Sequence, residues 1–415
     1  MRRIIGWKGL SIIGASLLAL LLIACDGEDR PAVDVVDDGS ASGSASGRSS
    51  GSASGSVSAS GTGSGSSSGS ASVSASGAGS TGGETSGVGL LIPAGLSPET
   101  EGPSASDGIF TPETNREIYQ KISSDYQEIA NLANRVNDGE PLPAAEILLL
   151  YEAGYHTRLG TSSRSLRGFA RDAARTGEFP EAVEFYGSAT FLDAPINDAI
   201  AGARTAENYT DAQRRQAILK GVQRILYHWS LRYIQNAEET LNEGWVDEGW
   251  AIYVGEPGED DSYPNSLSAL ARSREENFGR EGTIDVPMRE AMARAQAAAK
   301  ADDADAYLEA ANDIYSRFNA LFYLATVRYL GQALASADEG DLDAAGIQQV
   351  EGLSFYQSIQ WKVAAADASA DEAIVAFFTS PADALTTEMR DAALEGLNGT
   401  ATALLLEDSD LVTGF

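Results

Sequence analysis

The chain has 415 residues, with 60 acidic against 29 Lys and Arg residues, a formal net charge of −31 and an isoelectric point near 4.3. This charge excludes a nucleic-acid binder that relies on phosphate contacts, because such a protein needs a basic face. The single cysteine excludes an intramolecular disulfide, and the two histidines exclude a metal site built mainly from imidazole. Any metal would therefore be held mainly by carboxylate, phenolate and carbonyl oxygens, the ligands of hard cations.

The first 24 residues have the composition of an export signal. Arg2 and Arg3 are basic, the run 12–24 is mostly apolar, and the only cysteine, Cys25, follows it. The apolar run is short for a membrane-spanning helix. The stretch 22–25, LIAC, resembles the lipobox of bacterial lipoproteins. That resemblance implies cleavage before Cys25, lipidation of its sulfur, and an extracytoplasmic protein anchored to a bacterial membrane.

Residues 25–108 are predicted to be a lipidated cysteine followed by a disordered tether. Between residues 39 and 87 the chain is almost wholly Ser, Gly and Ala. Such a segment has no core to bury and behaves as a flexible coil. For roughly 80 residues the root-mean-square span is about 50 Å, so the tether gives the following domain a wide reach.

Residues 109–415 are predicted to fold as an all-α domain. Thr111 and Pro112 have the pattern of a helix start, and apolar residues at three- and four-residue spacing follow. Further helices are predicted over 144–159, 163–176, 178–203 (one or two), 210–242, 245–254, 266–278, 285–301, 303–337, 341–356, 371–379 and 386–406. No useful stretch alternates with a period of two, and the length favours two packed helical bundles.

An internal duplication is predicted over about 210–265 and 304–365. Arg232-Tyr233 aligns with Arg328-Tyr329 at an offset of 96, and a Glu-Gly pair follows in both segments, as WVDEGWAIY (245–253) and VEGLSFY (350–356). The Glu-Gly pairs need an offset of 103, which places seven inserted residues near 341–345. The duplication predicts two halves that face each other across a polar core.

Several residues are candidate metal ligands, and each has a structural alternative. Glu152 and His156 would share a face of the helix 144–159, either as two ligands or as a hydrogen-bonded pair. Asp247, Glu248 and Glu351 are carboxylates in apolar surroundings, and a buried carboxylate needs a cation, which could be a metal or a structural partner such as Arg232 or Arg328. The oxygen ligands that Fe(III) prefers would be Glu248, Glu351, Tyr253 and Tyr356, although both tyrosines could equally be core aromatics.

Two families resemble parts of the chain. DEGWAIYVG (247–255), the later AR…ENFG (271–279), and the upstream YEAG (151–154) and SLRGFA (165–170) are similar to the low-iron-inducible periplasmic proteins of algae and bacteria. This resemblance covers roughly 111–380 and implies an extracytoplasmic protein of iron assimilation. A weaker resemblance is to imelysin-like iron-regulated proteins, which are helical and duplicated. The His-x-x-Glu motif of that second family is absent, because Leu159 follows His156 and Leu231 follows His228 at that spacing.

Three functions follow from these patterns. The first is a lipid-anchored, non-catalytic binding protein for iron or a small iron complex. The second is a structural or interaction module that is tethered to the cell envelope and docks to an envelope protein. A hydrolase is the third, but the chain has no Gly-rich phosphate loop, GxSxG elbow or HExxH helix.

Overall fold

A computed structural model describes residues 106–414, except residues 115, 160, 161, 173 and 259–262. The predicted signal peptide, Cys25 and almost all of the predicted tether lie outside the described residues. Regular structure in the described part is helical, apart from one antiparallel ladder of two-residue strands, β1 (Arg158–Leu159) and β2 (Ser162–Ser163). The predicted all-α fold is confirmed.

Short helices make up the first part of the domain, and long helices dominate the rest. The short ones are α1 (Glu117–Gln120), α2 (Ile122–Asn134), α3 (Ala144–Ala153), α4 (Leu166–Ala170), α5 (Arg175–Glu178), α6 (Pro180–Tyr186) and α7 (Asp193–Ala201). The later ones are α8 (Asp211–Thr240), α9 (Glu243–Val254), α10 (Leu267–Asn277), α11 (Asp285–Lys300), α12 (Ala304–Asp338), α13 (Leu342–Tyr356), α14 (Gln360–Ala366), α15 (Ala368–Thr379) and α16 (Thr387–Gly399). None of these helices is both long and apolar enough to cross a membrane.

Polar side chains fix the starts of the long helices. Thr210 and Gln213 form a capping box at the start of α8, in which each side chain bonds a backbone N–H of the other residue. Asp303 and Asp341 accept backbone N–H groups at the starts of α12 and α13. These caps satisfy donors that the first turn of a helix leaves open, so the sequence sets the beginnings of these helices closely.

The two predicted repeats have the same local architecture. In each, a long helix (α8 or α12) turns back through a short connection into a helix that carries the Glu-Gly pair (α9 or α13) and packs along it. The glycine of each Glu-Gly pair lies where the two helices approach each other most closely. A Cβ on Gly249 would lie 3.3 Å from the carbonyl oxygen of Ser230 on α8, and one on Gly352 would lie 2.7 Å from the Cβ of Tyr329 on α12. The Glu-Gly glycine therefore allows two helices to touch.

The similarity continues beyond the predicted limits of the repeats. The tyrosine five residues after each Glu-Gly glutamate bonds an aspartate on a later helix: Tyr253 donates to Asp285 on α11 at 3.0 Å, and Tyr356 donates to Asp371 on α15 at 2.8 Å. Helix α11 packs against α12, and α15 packs against α16. The similar segments thus extend over α8–α11 and α12–α15, while a common ancestry stays a prediction. The described residues form one compact unit in which α13 and α12 pack directly against α8.

The domain begins slightly earlier than the predicted residue 109. The Asp107 carboxylate accepts the indole N–H of Trp250 at 2.8 Å and backbone N–H groups of Ile109 and Phe110, and its side chain is fully buried. The ring of Phe110 stacks on Trp250. Residues assigned to the end of the tether therefore belong to the core.

Candidate functional site

The two Glu-Gly carboxylates each have their own cation and their own tyrosine. Glu351 lies 3.0 Å from the Nζ atom of Lys220 on α8 and accepts a short hydrogen bond from Tyr329. All three side chains are buried. Because Lys220 belongs to the first repeat and Glu351 to the second, this ion pair joins the two repeats.

Glu248 lies in a comparable pocket of the first repeat. Its carboxylate is 3.5 Å from Arg116 Nη1 and lies beside the hydroxyls of Tyr119 and Tyr233, which are 3.4 Å from each other. Burial raises the pKa of Glu248, and the nearby guanidinium groups of Arg116 and Arg164 act in the opposite direction. Burial also raises the pKa of both tyrosines, so the phenols keep their protons at neutral pH.

The predicted arginine partners are not the partners of these glutamates. Arg232 pairs with Glu178 on α5 at 2.5 Å instead of with Glu248. Arg328 lies with its guanidinium carbon 5.8 Å from the ring centroid of Tyr329. Lys220 and Arg116 take the roles predicted for the two arginines. The prediction was wrong because the residue before α1 and an earlier turn of α8 bring cations from outside the aligned Arg-Tyr pairs.

Asp247, Tyr253 and Tyr356 have the contacts of structural residues. The fully buried Asp247 accepts the backbone N–H groups of Glu113 and Thr114, both at 3.0 Å, the Thr114 hydroxyl, and the side-chain amide of Gln296. These bonds hold the segment before α1, where the sequence predicted a helix start at 111–113. The hydroxyls of Tyr253 and Tyr356 donate to Asp285 and Asp371, as described above. Burial raises the pKa of both phenols, which favours their protonated forms.

Glu152 and His156 do not share a helix face, because α3 ends at Ala153. The exposed Glu152 pairs with Arg167, whereas His156 Nε2 lies 3.6 Å from Glu128 Oε1. Gly154 has a φ of 65°, and the chain then turns away from the helix axis. The prediction that these two residues share one helix face was wrong, and they do not form a hydrogen-bonded pair.

The buried carboxylate of Asp125 holds this turn, although no sequence pattern points to this residue. Asp125 Oδ1 accepts the backbone N–H groups of Tyr155 and His156 at 2.8 and 2.6 Å, and Oδ2 accepts the hydroxyl of Thr157. The two parts of this contact are about thirty residues apart, so no local motif points to it. Among the described residues, no group of three or more His, Cys, Asp or Glu side chains is placed to hold a metal ion.

A different part of the domain contains a cavity of about 500 Å³. It lies between α5, α6, α8, α12, α14 and the turns after α16. The walls are mostly apolar: Phe179, Leu231, Tyr315, Trp361, Ala365, Ala366, Ala403 and Leu405. Its polar lining residues are Glu178, Glu181, Gln235, Asn319 and Lys362. Small-molecule sites commonly have this size and this mixture of apolar walls with few polar groups.

Lys362 is the cation of this cavity. Its Nζ atom donates to Asn319 Oδ1 at 2.8 Å and to the Tyr227 hydroxyl at 3.2 Å, and burial lowers its pKa to about 8. Nearby, His228 is a buried core residue: its Nδ1 lies 2.9 Å from the Arg224 carbonyl, and burial holds its pKa well below the usual value. No local sequence pattern marks the cavity, because its lining comes from positions scattered between 178 and 405.

Comparisons with known proteins give no relative: no protein-family description, no curated protein and no solved structure matches the chain.

Proposed function

We propose that the chain is a lipid-anchored, extracytoplasmic and non-catalytic binding protein, and that the cavity at Lys362 is its ligand site. The lipobox-like stretch that ends at Cys25 supports a lipid anchor. The long Ser/Gly/Ala-rich segment supports a flexible tether between that anchor and the folded domain. The cavity supports the binding role. The predicted duplicated core does not offer a comparable site, because its carboxylates are engaged by Lys220, Arg116 and backbone donors.

The observation that carries this proposal is a cavity of small-molecule size that brings one cation into apolar walls. Ligand sites combine apolar surface, which provides affinity, with a few polar groups, which fix orientation. Leu405, at the wall, also supports the role, since it is 45% exposed and has a φ of 56°, a conformation that costs energy for a residue with a branched side chain.

Fragment screening by ligand-observed NMR tests the proposal. We expect some small apolar or amphipathic fragments to bind the wild-type protein and to lose binding in Ala403→Trp, which fills the cavity from an exposed wall position. Ala384→Trp, also at an exposed position but outside the cavity lining, is the matched control. If no fragment distinguishes the wild-type protein from Ala403→Trp, the cavity is not a ligand site.

Iron is a second candidate ligand, supported by the oxygen cluster of Glu248, Tyr119 and Tyr233. Carboxylate and phenolate oxygens suit Fe(III), and these three buried groups lie side by side. Arg116 and Arg164 oppose this role, because two guanidinium groups beside the cluster repel a cation.

Titration with ferric citrate tests the iron candidate. Binding by this cluster would produce a visible phenolate-to-iron absorption band that Tyr233→Phe and Glu248→Gln weaken and that Glu152→Gln, at an exposed position, leaves intact. Iron uptake without such a band, or a band that is equal in all four proteins, would rule out this cluster as the iron site.

A further inference from the structure

Among the residues that the structure describes, the ammonium group of Lys362 has one N–H donor without an acceptor and a positive charge without a counter-ion. An ammonium group has three N–H donors, and the recorded partners of Lys362, Asn319 and the Tyr227 hydroxyl, use two of them. The amide of Asn319 carries no charge, and Tyr227 is neutral because burial raises the pKa of its hydroxyl. Within the described part of the chain, no carboxylate lies within 4 Å of its Nζ atom. This is unusual in a chain with twice as many acidic as basic residues.

The acidic residues at the cavity do not neutralise Lys362. Glu178 pairs with Arg175 and with Arg232, so its charge is already balanced. Glu181 is exposed at the start of α6 and can stay hydrated. The cavity therefore offers a positive charge at one wall and an already paired carboxylate at another.

Trp361, the residue before Lys362, provides an aromatic wall beside the charge. The Nζ atom of Lys362 is 5.4 Å from the ring centroid of Trp361. In the described structure the indole N–H is buried and has no hydrogen-bond acceptor, which is rare for a buried donor. The local arrangement has a surplus of donors over acceptors.

We propose that the cavity binds a small organic acid with an apolar body, whose carboxylate forms an ion pair with Lys362. The apolar body would lie against Phe179, Leu231 and Trp361. This inference rests on the proposed function and narrows it to one chemical class of ligand.

Charge and surface together favour an organic acid over the alternatives. An inorganic anion would satisfy Lys362 but would leave the apolar walls without a partner. A neutral apolar molecule would cover the walls and leave the ammonium group without a counter-ion in a medium of lower dielectric constant, where an ion pair is stronger than in water. A carboxylate on an apolar body meets both requirements.

A matched pair of probes tests this inference: 2-naphthoate, and the uncharged 2-naphthalenemethanol of similar size. Binding to the full-length chain with Cys25→Ser, which prevents lipidation, is measured by isothermal titration calorimetry at pH 7. We expect naphthoate to bind at least tenfold more tightly than the alcohol. Lys362→Met should weaken naphthoate tenfold or more and leave the alcohol unchanged. Since this variant removes a partly buried charge, we expect it to fold.

Lys300→Met removes the same charge from an exposed position on α11 and should leave naphthoate binding unchanged.

The remaining outcomes separate this inference from the proposed function. Equal binding of both probes, insensitive to Lys362→Met but abolished by Ala403→Trp, would overturn the carboxylate inference and retain the cavity as a ligand site. If Lys362→Met and Lys300→Met both lose naphthoate binding, the loss comes from the change in net charge, and the inference is overturned. If neither probe binds, the inference fails, and the fragment screen decides the proposed function independently.

Discussion

The ammonium group of Lys220 lies 3.0 Å from the carboxylate of Glu351, and both residues are at most 5% exposed. A buried ion pair contributes little net stability, yet loss of one partner leaves the other charge buried without compensation. Glu351→Ala should therefore lower the free energy of unfolding by about 3–5 kcal/mol. Urea denaturation followed by circular dichroism measures this change. The double variant Lys220→Met/Glu351→Leu should regain most of the loss, and a loss below about 1 kcal/mol in Glu351→Ala would contradict a tightly coupled pair.

Two glycines of α13 should respond in opposite ways to the same substitution. A Cβ on Gly352 would lie 2.2 Å from the ring of Phe378 and 2.7 Å from the Cβ of Tyr329, so Gly352→Ala should destabilise the domain by about 1–3 kcal/mol. A Cβ on Gly346 would meet only the flexible end of Gln213 at 3.1 Å. Gly346→Ala should be neutral or stabilise by up to about 1 kcal/mol, because alanine favours a helix. Thermal unfolding of both variants checks the contrast, and equal effects would argue against a close approach at Gly352.

Protonation of Glu248 should stabilise the fold. Burial raises the folded-state pKa of Glu248 above its ordinary value of 4.5. The stability that protonation contributes is fully present below the unfolded-state pKa and is lost as the pH rises through the folded-state value. Glu248→Gln imitates the protonated form, so its free energy of unfolding should exceed that of the wild-type protein by more at pH 7 than at pH 4. Urea titrations at the two pH values measure the difference. An equal difference at both would show that the ionised form is fully compensated by Arg116.

Binding of an organic acid should weaken in alkaline solution. Burial lowers the pKa of Lys362 to about 8, so the ammonium group loses its proton between pH 7 and pH 9 while the ligand stays ionised. The affinity for naphthoate should fall over this range in the wild-type protein and stay constant in Lys362→Met. Calorimetry at pH 7, 8 and 9 gives the profile, and an identical decline in both proteins would assign the effect to another group.

The other titratable groups near Lys362 do not produce the same profile. Between pH 7 and pH 9 the buried tyrosines stay protonated and the buried histidine stays neutral, because burial raises the pKa of Tyr227 on α8 and Tyr315 on α12 and lowers the pKa of His228 on α8. The carboxylates at the cavity wall are Glu178 on α5 and Glu181 on α6. Lys362 affects the stability of the ligand-free protein in the other direction: affinity for the acid falls as the pH rises, whereas stability increases. Its folded-state pKa lies below the ordinary value of 10.5, so the free energy of unfolding should rise between pH 8 and pH 10.5.

The sequence predicted the long helices well because their signals are local. Apolar spacing and capping residues determined α8 and α12, and the Glu-Gly pair correctly marked two similar helices packed on them. Where a distant residue competes with a local signal, the prediction failed. The helix start at Thr111 is replaced by backbone bonds to Asp247, and the helix through His156 ends early at a turn held by Asp125.

The candidate site was harder to predict because charge partners come from anywhere in the chain. The aligned repeats offered Arg232 as the partner of a Glu-Gly carboxylate, but the fold supplies Arg116 from just before α1 and Lys220 from an earlier turn of α8. Lys362 had no local signal at all. Its importance lies in the absence of a nearby acid, which depends on the packing of several helices and not on the neighbouring sequence.

The burial of Asp107 also determines how the domain responds to tension. Asp107, near the leading end of the described chain, is bonded to Trp250 on α9 and lies 3.7 Å from Arg289 on α11. Asp247 and Gln296 fasten the next few residues to the same two helices. The segment 107–114 is therefore tied to two core helices at once, so we expect a load applied at its leading end to be shared between α9 and α11.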